Sequence, residues 1–95
     1  MRTEMNKLIE MLNNANIPFE LTNDVFDNEN NQVWYPSQKN RICDVICHQG
    51  SYGGEKGLLE IMGLLTEEEA ECDDVVGYLT AENVFNRIKN HYKMK

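Results

Sequence analysis

The stretch LLEIMGLL (58–65) fits two structures, and they lead to different proteins. Glu60 and Gly63 stand three apart, as polar positions on a helix do. The Ile-containing middle and Gly63 favour a strand. The choice fixes the meaning of the segment just before it, CHQGSYGGEKG (47–57), which holds four of the six glycines. A glycine loop opening onto a helix is an anion site, whereas one joining strands is a long hairpin loop. The strand reading is preferred, because an antiparallel partner satisfies the edge of the strand upstream.

That upstream strand is RICDVICH (41–48). Alternation puts Ile42, Asp44 and Ile46 on one face and Cys43, Val45 and Cys47 on the other. The second face is wholly apolar, which places this strand at the centre of a sheet with helices against that face. Before it, QVWYP (32–36) reads as an aromatic strand ended by Pro36, and FEL (19–21) as a short one. Trp34 and Tyr35 point to opposite faces, so one belongs to the core and the other faces outward, near Tyr52 of the glycine loop.

Both ends read as helices. Met5, Leu8, Ile9 and Leu12 follow helical spacing after Thr3, a capping residue, and NNANIP (13–18) stops the helix. Thr80 caps the last helix, whose stripe is Ala81, Val84, Phe85, Ile88 and Tyr92. Its basic end, RIKNHYKMK, suits the negative pole of the helix dipole. Thr66 and Glu69 form a capping box that starts a short helical turn, and DVVGYL (74–79) reads as an extended piece or turn. The expected architecture is α+β, in the order α-β-β-β-β-α: one domain over residues 1–95, with two terminal helices on one face of an antiparallel sheet of about four strands. The other face is left for water or a second copy.

Charge is uneven. The net charge is −7, yet EEEAECDD (67–74) alone holds six acids and no base; without it, ten acids face nine bases. Scattered bases do not form the footprint that phosphate contacts need, so direct nucleic-acid binding is not expected. The acids Glu67, Glu68, Glu69, Glu71, Asp73 and Asp74 are a candidate partner-binding surface, imitating nucleic acid for the basic groove of a host protein such as a nucleic-acid-binding one. The bland alternative is a solvated connection that keeps the chain dispersed. No apolar run approaches a membrane span, and Glu4 and Glu10 interrupt the first apolar pattern, against a secretory leader. Three cysteines, an odd number, point to reduced thiols in a cytoplasmic protein.

Several chemistries fail on spacing. DNENNQ (27–32) lacks the Gly and the terminal Glu of a calcium loop, with Gln32 and Gln38 in those places. The glycine loop matches neither a Walker loop nor a dinucleotide fingerprint. HQGSYGG has Gln49 where a nucleophile elbow needs Gly, and His48 with Ser51 lacks an orienting third residue. Cys47 and His48 are adjacent on a strand and point apart. Cys43, Cys47, His48, Cys72 and His91 contain no Cys-x2-Cys pair and no His-x3–5-His pair, so no zinc site is expected. No cofactor is implied and no enzyme is expected. The glycine loop keeps one functional use. His48, Ser51, Tyr52, Gly53, Gly54 and Lys56 are a candidate site for a small anionic ligand, held by backbone N–H groups.

The combination ANIPFE, VWYP, VICHQGSYGGEKGLLEIMGLL and GYLTAENVFNRI resembles small accessory proteins carried by phages and prophages of Gram-positive bacteria. The resemblance covers most of the chain. It implies a non-enzymatic protein that acts by binding. That class includes inhibitors of host defence such as anti-CRISPR proteins, and sponges that sequester nucleotide signals. It carries no site residue over to this sequence.

Overall fold

The structure, a computed structural model, describes residues 3–23, 31–47 and 56–94. The elements are α1 (Thr3–Asn14), β1 (Glu20–Asn23), β2 (Asn31–Tyr35), β3 (Cys43–Ile46), β4 (Leu59–Met62), α2 (Glu67–Cys72), β5 (Val75–Leu79) and α3 (Ala81–Lys93). The class is α+β. The five strands form one antiparallel sheet in sequence order, with β3 at its centre. The stretch 58–65 supplies a strand, as its middle predicts. The expected four strands become five, because 75–79 is a paired edge strand. Its signal is weak for a physical reason: Gly77 and a bulge break the alternation. Ile61 pairs with Val76 and Leu59 with Leu79, so Gly77 and Tyr78 together oppose Glu60. Tyr78 adopts φ 59°, a left-handed conformation rare outside glycine.

The row Val33–Val45–Ile61 runs across the inner face, and each of its residues is fully buried. Met5, Leu8 and Leu12 of α1 and Ala81, Val84 and Ile88 of α3 pack onto it, with Tyr35, Cys43, Cys47 and Leu59. Each large apolar side chain so buried contributes about 1.5–3 kcal/mol. The expected stripes hold, except that Tyr92 lies at the exposed end of its helix.

The ends of the helices are closed by named groups. α1 begins at Thr3 itself, so the threonine expected as its cap is its first residue. At its other end Asn16 takes φ 58°, and the N–H groups of Ile17 and Asn16 donate to the carbonyls of Leu12 and Asn13. That is a Schellman stop with Asn in the left-handed place, and both Ile17 and Leu12 are buried in the core. Thr80 accepts from the N–H of Asn83 at the start of α3, as its sequence predicts. A second orphan donor there, the N–H of Ala81, goes to Glu4 Oε1 of α1 at 2.7 Å. One carboxylate thus joins the two helices and meets the positive end of a helix dipole.

Candidate functional site

The acidic segment is ordered by its own first turn. Thr66 Oγ1 accepts from the N–H of Glu69, and the Glu69 carboxylate accepts from the N–H of Thr66, so the capping box is complete. Three glutamates occupy the first turn of α2, where the dipole favours negative charge. What holds this short helix in place is Arg87 of α3. Its Nη1 and Nη2 each donate to one Glu69 oxygen at 2.8 Å, and Nη1 also donates to the Leu64 carbonyl at 3.1 Å. Asn83 steadies the guanidinium by accepting from Nε at 2.8 Å. Both side chains of the pair are mostly covered, 16% exposed for Arg87 and 27% for Glu69. The Arg87 hydrogen bonds, with that from Thr66, hold the Glu69 carboxyl down to about 2.

The six candidate acids therefore divide. Glu67, Glu68, Glu71, Asp73 and Asp74 are exposed, while Glu69 is half-buried and bound within the fold. Asp73 ends the helix, donating its N–H to the Glu69 carbonyl, and its carboxylate accepts from the N–H of Asp74. The helix presents its remaining acids from a fixed support.

Of the candidate ligand loop, Lys56 is described: it is exposed and stands just before β4. His48, Ser51, Tyr52, Gly53 and Gly54 lie outside the described residues, as does most of the polar turn at 27–32.

The cysteines separate by burial. Cys43 and Cys47 are buried on the inner face, Cys72 is exposed at the end of α2, and none is in a disulfide. Burial pushes the Cys43 thiol up to about 12; the adjacent Asp44 adds to this and Arg41 opposes it. A thiol so protonated is core packing, not a nucleophile. His91 does not approach the cysteines as a ligand set. Its Nδ1 is hydrogen-bonded to the Tyr35 hydroxyl at 2.9 Å, with the two rings edge to face. Among the described residues no group of three or more His, Cys, Asp or Glu side chains is placed to hold a metal. Nor is any described helix long and apolar enough to cross a membrane.

A cleft of about 290 Å³ lies between α1 and the start of α3, lined by Glu4, Lys7, Met11, Thr80, Ala81 and Glu82. The donor that would attract an anion there already holds Glu4, and Lys7 approaches the same carboxylate at 3.6 Å.

The sequence leaves one face of the sheet for water or a second copy, with an outward aromatic on it; what it does not show is which side chains meet there. Glu20, Trp34, Asp44 and Met62 form one row across four strands, and Thr22, Gln32, Ile46 and Glu60 form the next. Tyr35 is in the core and Trp34 faces outward, half-buried, its indole N–H donating to Thr22 Oγ1 at 2.9 Å. Asp44, at the centre, is only 8% exposed. Gln32 Nε2 donates to one of its oxygens at 2.8 Å and Arg41 to the other at 3.1 Å. The signal was present in the alternation of 41–48, but the pairing register that assembles the rows is not written in any one segment.

No protein-family model matches this chain, and neither a curated protein nor a solved structure does.

Proposed function

We propose that this chain is a small, non-enzymatic, acidic binding protein of phage type that blocks a host-defence protein by docking on its basic surface. The observation that carries the reading is the anchoring of α2. Arg87 and the capping box fix a six-residue helix whose Glu67, Glu68 and Glu71, with Asp73 and Asp74 beyond it, face solvent. Fixed charges lose less entropy on docking than mobile ones and steer a positively charged partner to them. The resemblance to phage and prophage accessory proteins supplies the host setting.

The test is native mass spectrometry of the protein recovered from a Gram-positive lysate. It is run beside a variant with Glu67→Gln, Glu68→Gln, Glu71→Gln, Asp73→Asn and Asp74→Asn. Glu69 is left in place so that the helix keeps its support. A host protein retained by the parent, released by high salt and lost in the variant is the expected result. Equal retention by both removes the acidic surface from the reading, and a retained nucleotide-sized molecule instead favours a ligand sponge.

A further inference from the structure

Residues 66–74 run between two places where the chain is held by the core. Leu64 and Leu65 pack against the core before the segment and Val76 after it, while no residue from 66 to 74 belongs to it. α2 buries no side chain: five of its residues are exposed and Glu69 is half-buried. The hydrogen bonds of the segment close mostly on itself. Beside the capping box, the N–H of Ala70 donates to the Thr66 carbonyl, that of Asp73 to the Glu69 carbonyl and that of Asp74 to the Asp73 carboxylate. Among the described residues one side chain hydrogen-bonds it to the rest of the fold. That side chain is Arg87, on both Glu69 oxygens and on the Leu64 carbonyl just before the segment.

The segment has little helical stability of its own. A helix of this length is well short of the roughly 12–15 residues that stand alone in water. Six acids repel one another between Glu67 and Asp74. Glu71, Asp73 and Asp74 also crowd the negative pole, with no base in the last turn. We infer that residues 66–74 are a strap that opens as a unit while the core stays folded, that Arg87 is its clasp, and that a basic partner selects the closed strap. Closing gathers the acids into one turn-and-a-half of helix, so cations laid along them relieve the repulsion that opposes it. Arg87, mostly covered, positions that surface from behind. Selection by a basic partner rests on the function proposed above; the opening of the strap stands apart from it.

The first measurement is amide hydrogen exchange on the parent protein. The N–H groups of Ala70 and Asp73 should exchange at least about a hundredfold faster than the slowest of β3. Low concentrations of denaturant should speed β3 alone, because opening the strap uncovers little surface. A single rate with a single denaturant dependence would show that the strap opens only with the whole fold; the inference then falls and the acidic-surface reading stands. Arg87→Gln, melting in one transition, should speed Ala70 and Asp73 roughly tenfold further. Oligolysine at low salt should slow both amides in the parent and should bind Arg87→Gln about threefold more weakly. Charge alone gives the opposite sign, since losing one base takes the net charge from −7 to −8. Should Arg87→Gln not fold, Arg87→Lys takes its place: it keeps the charge, loses the two-point grip and should also bind more weakly. Binding by the variant as tight as by the parent, or tighter, overturns selection of the closed strap. If oligolysine does not bind the parent, the acidic surface and that selection fall together.

Discussion

Arg87 grips Glu69 through two parallel hydrogen bonds of 2.8 Å, and in doing so takes one of six clustered acids out of the exposed set. Charge-assisted, bidentate and mostly covered, this pair is of the stronger kind. Glu69→Gln should cost about 2 kcal/mol in chemical denaturation, through the lost ion pair and the weakened cap. Glu67→Gln and Glu68→Gln, which face solvent, should stay within about 0.5 kcal/mol. Equal effects at all three positions would show that Arg87 does not single out Glu69.

The same pair sets an acid limit. The Glu69 carboxyl lies at about 2 when folded, against 4.5 as its ordinary value. Between those values the unfolded chain binds a proton that the folded chain does not, so stability falls as pH falls. The contribution is fully present above the ordinary value and is lost as pH drops through about 2. Stability measured from pH 5 to 2 should decline less steeply in Glu69→Gln than in the parent.

Gly63 has φ 98°, and a Cβ there would stand 2.4 Å from the Ile42 carbonyl oxygen and 3.0 Å from two atoms of Cys43. The obstacle is mainly backbone of the central strand, which has no room to move. Gly63→Ala should therefore destabilise by at least ~2 kcal/mol, read as a fall in melting temperature. A neutral effect would mean that the 63–64 turn sits away from β3.

Much of this fold was legible because its core elements keep their periods. The helical stripes of α1 and α3 and the strict alternation through Cys43, Val45 and Cys47 each bury the face they predict. Two capping threonines, Thr66 and Thr80, sit where sequence places them because a cap is local. The fifth strand was obscured by its bulge. The partners of Glu4 and Glu69 were obscured by distance: Ala81 is 77 residues from Glu4, and Arg87 is 18 from Glu69. An acidic run reads as one patch in sequence, and only the packing of α3 against it divides structural from exposed charge.

Tyr78 is both exposed and strained. A non-glycine residue in the left-handed region costs roughly 1–2 kcal/mol, and Asn bears less of that cost. Tyr78→Asn should raise stability by about 0.5–1 kcal/mol, since a side chain 61% exposed gives up little packing. A loss of stability would show that the ring's contacts outweigh the backbone strain.

The thiols offer a check on the core that needs no mutation. Cys43 is fully buried with its thiol pushed up to about 12, Cys47 is 3% exposed, and Cys72 is exposed on α2. Only a thiolate reacts readily with a disulfide reagent, and only where the reagent reaches it. At pH 8 the folded protein should release one equivalent of chromophore quickly, from Cys72, and the denatured protein three. The two slow thiols should react only as fast as the fold opens, so that added denaturant speeds them and leaves the first unchanged. Two or three fast equivalents under native conditions would place Cys43 or Cys47 outside the core, and the inner face of the central strand with them.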